Sequence, residues 1–259
     1  MTTWVLLRGL MREARHWGEF PALFARQMQQ GEAGQHQPIT VITPDFAGNG
    51  SRNGEPSAAT VPQMATQLRS HLQQQGHAPP YYILALSLGA MAGVAWASQY
   101  PDDVAGLVLM NTSLQPFNPF RHRLRPHNYP ALLGLLLADQ RAREQTILRI
   151  TSNLANDAHC ACVLQSWQQY ATQNPVSRRN IVRQLLAAMR YRARAQAPPV
   201  PLLMLASSQD RLVSVECSCK IAALWQCPLR LHESAGHDLP LDDGAWVVRQ
   251  IREWVAGFG

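Results

Sequence analysis

The 259-residue sequence predicts an α/β fold, a mainly parallel sheet with helices on both sides. Three observations carry this. Short apolar runs occur without polar alternation, as strands buried on both faces require. They alternate with segments of helical spacing. The composition, 46% hydrophobic and 15% charged, supplies a buried core and excludes a disordered chain. The length fits one sizeable domain with an inserted lobe.

The first apolar run, residues 4–7, ends at Arg8-Gly9. Residues 16–29 have helical spacing through Trp17, Phe20, Leu23, Phe24 and Met28. A second strand at 39–42 is closed by Thr43-Pro44-Asp45 and a loop rich in Gly and Asn. Met64, Leu68 and Leu72, four apart, predict a helix over 61–75. The third strand, 81–86, runs through small residues into a helix reaching about residue 99. Further strands are expected at 104–110, 201–206 and 229–232, with a last helix over 245–255.

Residues 113–196 break the rhythm. They hold no strand-like run and read as helices at 129–140, 142–154, 158–173 and 177–194. The expected organisation is a core of residues 1–112 and 197–259 with a helical cap, 113–196, inserted into it. Such a cap would cover the carboxyl edge of the sheet, where open α/β sheets place their ligands.

No apolar run approaches the roughly 20 residues of a membrane span, and the richest stops at Asp139. The N-terminus lacks a basic region, a long apolar core and a cleavage site, so a soluble cytoplasmic protein is expected. Five cysteines, an odd count, point to reduced thiols. The two C-x-C pairs have neither the usual zinc spacing nor a nearby His, and neither metal nor cofactor is expected.

The net charge of +6 is uneven. Between Leu114 and Gln196, twelve arginines face only Asp139, Glu144 and Asp157. No aromatic stacking platform or known motif accompanies them, so nucleic-acid binding is not indicated.

The chemistry centres on Ala85-Leu86-Ser87-Leu88-Gly89, between an apolar strand and a helix. A tight strand-to-helix turn strains the Ser backbone and requires small residues two positions away on either side. It also raises the hydroxyl above the sheet. The usual pattern is G-x-S-x-G; here Ala85 replaces the first Gly.

A serine nucleophile needs a base, and the base an orienting acid. Asp210 lies just past the 201–206 strand, and His237 lies in the loop after the last strand. The order Ser87, Asp210, His237 is that of α/β-hydrolases. For the oxyanion hole, the candidates are the backbone N–H groups of Leu88, after the nucleophile, and of Leu10, in the loop after the first strand.

With Leu7-Arg8-Gly9-Leu10, Asp45-Phe46-Ala47-Gly48-Asn49-Gly50-Ser51 and Gly236-His237-Asp238-Leu239-Pro240, these pieces resemble the α/β-hydrolase superfamily, in its small, capped, bacterial esterase-like branch. One departure from the superfamily is that the chain opens on what would be its third strand, so a sheet of about six strands is expected, without the antiparallel edge strand. The resemblance implies a serine carboxylesterase acting on an ester or acyl thioester. The other departure is Arg8, where the family usually has His.

On the 177–194 helix, Arg179, Arg183, Arg190 and Arg194 would share one side, with Ile181, Val182, Leu185 and Met189 packing downward. That stripe, with Arg8, is a candidate contact for an anionic substrate or an acidic acyl carrier protein, as in the pimeloyl-carrier methyl esterases whose layout this chain resembles. Two other functions stay open: a lyase or C–C hydrolase like the menaquinone-pathway synthase, and a non-catalytic ligand receptor.

Overall fold

The computed structural model describes residues 2–29, 38–154 and 158–257. Six strands form one sheet: β1 Thr2–Leu7, β2 Ile39–Ile42, β3 Tyr81–Leu86, β4 Val104–Met110, β5 Leu202–Ser207 and β6 Leu229–His232. All neighbours are parallel, in the order β2-β1-β3-β4-β5-β6. The helices are α1 Phe20–Gln29, α2 Val61–Gln74, α3 Leu88–Gln99, α4 Phe120–Arg123, α5 Tyr129–Leu137, α6 Gln140–Thr151, α7 Ala158–Gln173, α8 Arg178–Arg190, α9 Val215–Trp225 and α10 Leu239–Ala256.

The unbroken apolar runs are explained by two cores. Val5, Leu7, Ile83, Ala85, Leu107, Leu109 and Met204 pack on one face of the sheet with α2 and α3. Their chain neighbours Trp4, Leu6, Leu84, Leu86, Val108, Met110, Leu203 and Leu205 pack on the other with α1 and α10. The two-residue period of a strand sends successive side chains to opposite cores, so the buried stretches of β1, β3 and β4 and residues 202–206 of β5 are apolar without alternation. A third cluster, including Leu135, Ile147, Leu148, Trp167 and Ile181, joins the helices between β4 and β5 to Met11 of the first loop.

Strand order reverses at β1, which pairs with β2 on one side and β3 on the other. The register Leu7↔Ala85 and Leu86↔Met110 brings the carboxyl ends of β1, β3 and β4 level. Open α/β sheets bind ligands at such a switch point.

Several helix boundaries differ from the sequence expectation. Gly18, at φ 53°, separates a 3₁₀ turn, Ala14–Trp17, from α1. Asp139, expected inside a helix, instead caps α6 by accepting the Ala142 N–H at 2.8 Å. Helix α10 starts earlier than expected, with Pro240 in its first turn, and is kinked at Asp243. Among the described residues no helix is long and apolar enough to cross a membrane.

Candidate active site

Ser87 sits between β3 and α3 at φ 57°, ψ −114°, a conformation that residues with a Cβ seldom adopt. The surroundings hold it there. Its N–H donates to the Met110 carbonyl at 3.0 Å, and its carbonyl accepts from Met91 N–H at 3.2 Å and Thr112 Oγ1 at 3.1 Å. Two residues on, a Cβ at Gly89 would lie 2.5 Å from the Leu7 carbonyl oxygen, so no side chain fits. The loop after β1 crosses just above, and a Cβ at Gly9 would come within 3.4 Å of Ser87 Cβ.

His237 and Asp210 are buried, at 4% and 2% exposure, with Nδ1 and Oδ2 2.7 Å apart. The other Asp210 oxygen accepts the Leu212 and Val213 amides at 2.7 and 2.9 Å, which fixes the carboxylate. An ionised carboxylate only accepts, so the proton is assigned to Nδ1, and Nε2 is left as the basic nitrogen.

Asn111, at φ 42°, is a positioning residue that the sequence does not reveal. Its amide donates to the carbonyls of Gly236 and His237 at 3.2 and 2.8 Å, and its oxygen accepts the Ser207 N–H at 2.8 Å. One side chain thus ties the ends of β4 and β5 to the histidine loop. Asp242 grips the same loop, accepting Gly236 N–H at 2.6 Å as well as the Ser152 hydroxyl at 2.6 Å and Asn153 N–H at 3.0 Å. Burial pushes its carboxyl above the usual range.

Arg8 is buried and forms a bidentate pair with Asp238, at 3.0 and 2.6 Å, in the wall of the cleft that Ser87 and His237 also line. Its guanidinium lies 4.7 Å from the Trp17 ring. The cation where the superfamily has His therefore staples the first loop to the residue after His237. Only a planar fork makes that two-point contact.

In the same loop, Met11 N–H donates to Gln184 Oε1 of α8 at 3.0 Å, and Arg12 N–H to Gly9 at 3.3 Å. Among the described residues the N–H groups of Leu10 and Leu88 have no protein acceptor. Both residues border the cleft beside Ser87.

That cleft has two arms. One, about 560 Å³ with its mouth, is bordered by Ser87, His237, Met11, Leu132, Leu135, Ile147, Ile150 and Trp167. The other, about 700 Å³ with its open mouth, extends from Ser87 and Leu88 to Phe120, Leu124, Leu185, Met189, Val213, Ser113 and Arg123. Apart from a few polar groups the walls are apolar, as in small-molecule sites.

The expected arginine stripe is carried by α8 only through Arg179, Arg183 and Arg190. Helix α8 ends at Arg190, so Arg194 lies beyond it, and Arg183 donates Nε to the Ser57 carbonyl at 2.6 Å. Arg179 and Arg190 remain exposed. The face of α8 turned inward is partly polar: Asn180, Ile181, Gln184 and Ala187 are buried, while Val182 and Met189 are exposed. Gln184 Nε2 donates to Asn49 Oδ1 at 2.7 Å and Ser57 Oγ at 2.9 Å, and Asn180 Oδ1 accepts the Ser57 N–H at 2.9 Å. Hydrogen bonds to the core loops, not apolar contact alone, set the rotation of this helix.

An open parallel sheet with these residues gathered at its carboxyl edge defines an α/β protein of the hydrolase class. The sequence model of the alpha/beta hydrolase family matches residues 4–250, and the chain belongs to that family. A comparison with curated proteins returns no match. Among solved structures, a putative lipase from Acinetobacter baumannii superposes with a TM-score of 0.76 at 22% identity, over 99% of this chain and 84% of that one. A thermophilic esterase from Thermogutta terrifontis gives 0.74 at 19%, over 99% and 90%. The enol-lactonase from Burkholderia xenovorans gives 0.77 at 16%, over 98% and 91%. At these identities the likeness concerns the fold.

Proposed function

We propose that this chain is a serine hydrolase that cleaves carboxylic esters or thioesters through an acyl-enzyme, with helices α4–α8 as a cap over the site. The observation that carries the reading is Ser87, at its strained turn, bordering the same cleft arm as His237, whose Nδ1 is fixed on Asp210.

His237 Nε2 takes the Ser87 proton as Oγ attacks the carbonyl carbon. The Leu10 and Leu88 amides stabilise the oxyanion, a contribution of about 10²–10³ in rate per donor in comparable sites. The imidazolium then returns the proton to the leaving alcohol or thiol as its bond to the acyl carbon breaks. Water enters by the same route and releases the acid. Asp210 holds the tautomer and stabilises the imidazolium. No cofactor takes part in these steps. Cys217 does not rival Ser87, because burial pushes its thiol up to about 12.

A fluorophosphonate probe with a panel of p-nitrophenyl esters tests the reading. The wild type should be labelled at Ser87 and turn the esters over. Labelling without turnover would favour a lyase or C–C hydrolase, and neither would favour a ligand receptor.

A further inference from the structure

Among the described residues Arg123 has no counter-ion. It is 7% exposed, at the end of α4, and borders the second arm of the cleft together with Ser87 and Ser113. It donates to the carbonyls of Ala188 and Met189 at 2.7 and 3.3 Å, and its Nε is buried without a partner. Two of five N–H groups are thus engaged, both by neutral acceptors. Among the described residues no carboxylate lies within ion-pair distance of it. The nearby Cys217 supplies no negative charge, since burial keeps its thiol protonated.

A buried cation without an anion is costly, and the ordinary remedy is a partner of opposite charge. Buried Arg8 and Arg12, which border the other arm, follow that rule by pairing with Asp238 and Glu144. Buried Arg143, like Arg123, donates to a backbone carbonyl, but of these two only Arg123 borders the cleft with Ser87.

The two arms also differ in chemical role. The leaving group must receive a proton from His237, so it belongs in the arm that His237 borders. Leu10 borders both arms, whereas Leu88, whose amide faces the acyl carbonyl oxygen in the proposed reaction, borders the Arg123 arm and not the His237 arm. It therefore takes the acyl chain.

We infer that Arg123, on the same arm as Ser113, is a carboxylate-binding subsite, and that the preferred substrates are ω-carboxyacyl esters or thioesters, half-esters of dicarboxylic acids. The acyl methylenes lie along Phe120, Leu124, Met189 and Val213, and the terminal carboxylate meets the guanidinium. This assignment rests on the serine-hydrolase reading for its substrate, but the subsite itself can be tested without turnover.

The kinetic test compares mono-p-nitrophenyl adipate with p-nitrophenyl hexanoate, equal in chain length and different in charge. The wild type should prefer the adipate by at least about ten-fold in kcat/KM, the scale of a charge-assisted hydrogen bond. In Arg123→Met that ratio should fall about 10–100-fold, mainly through KM, and Arg123→Lys should recover part of it. A wild-type ratio near one, or the same ratio in Arg123→Met, overturns the subsite.

If neither ester is hydrolysed, the esterase reading fails and binding decides the subsite. Adipate should then raise the Tm of the wild type and of Ser87→Ala but not of Arg123→Met; equal shifts in all three overturn it. Should Arg123→Met fail to fold, adipate is compared with 1,6-hexanediol on the wild type. A ten-fold advantage in inhibition or Tm midpoint for adipate supports the subsite, and parity overturns it.

Discussion

Ser87 holds a backbone conformation that costs on the order of 1–3 kcal/mol, which the surrounding hydrogen bonds must outweigh. Glycine adopts positive φ without that cost. Ser87→Gly is therefore expected to fold, with a Tm at or above that of the wild type, while ester turnover falls by about 10⁴ or more. A lower Tm would show that the turn is not strained; retained turnover would remove Ser87 from the chemistry. Asp210→Asn should lower kcat by about 10⁴ while leaving fluorophosphonate labelling detectable but slow, because the imidazole loses its tautomer and its counter-charge. An unchanged kcat would place the acid elsewhere. These three positions were legible because each follows the end of a strand, apolar throughout for Ser87 and nearly so for Asp210, and parallel pairing brings such ends to one edge. Asn111 follows a strand end too, yet an amide carries no charge or nucleophile that marks it in a sequence. Its role exists only through the carbonyls of Gly236 and His237, remote in the chain.

At the scale of elements, helix α8 shows where pattern reading misleads. Apolar spacing placed Val182 and Met189 inward, but the inward face is set by Asn180 and Gln184, which meet buried donors and acceptors on the core loops. A buried amide with partners outweighs a methyl group or two, since unmaking those bonds would leave several groups unsatisfied. Gln184 also fixes Met11 N–H, directly after Leu10. Gln184→Ala should destabilise the protein by about 1–3 kcal/mol by chemical denaturation, because Met11, Asn49 and Ser57 lose a partner together. It should also lower kcat about ten-fold or more as the Leu10 amide loses its position. A variant with lowered stability and unchanged kcat would confine Gln184 to anchoring the helix. The strands were easier to read than the helix ends: a run buried on both faces leaves a strong apolar signal, whereas the break at Gly18 and the cap at Asp139 depend on single residues.

Across the whole molecule, the excess of arginine between β4 and β5 is not simply a charged surface. Arg123 and Arg143 are buried, and Arg143 donates Nε to the Leu135 carbonyl at 2.7 Å. The joint between these helices and the first loop is ionic as well: Arg12 grips Glu144 of α6 at 2.6 and 3.0 Å and lies 4.9 Å from the Trp167 ring of α7. His16 is enclosed in this joint. Its Nδ1 accepts the Glu13 N–H at 3.1 Å, and its buried Nε2, 3.9 Å from Glu144, has no hydrogen-bond partner among the described residues. Burial, and then the positive charges of Arg12 and Arg8, hold its pKa well below the ordinary histidine value. In the unfolded chain the imidazole takes up a proton below about pH 6.5, whereas in the folded chain it does so only at a much lower pH. The unfolded state therefore binds more protons in that window, and stability falls as the pH drops below about 6.5. The limiting slope is about 1.4 kcal/mol per pH unit for one such group. His71 is also lowered, but it lies partly in water on α2, so its share is smaller. Denaturant unfolding at pH 7, 6 and 5 should show this loss in the wild type and a clearly shallower one in His16→Asn, whose side-chain oxygen can still accept the Glu13 N–H. The same slope in both proteins would mean that the acid sensitivity arises outside the joint.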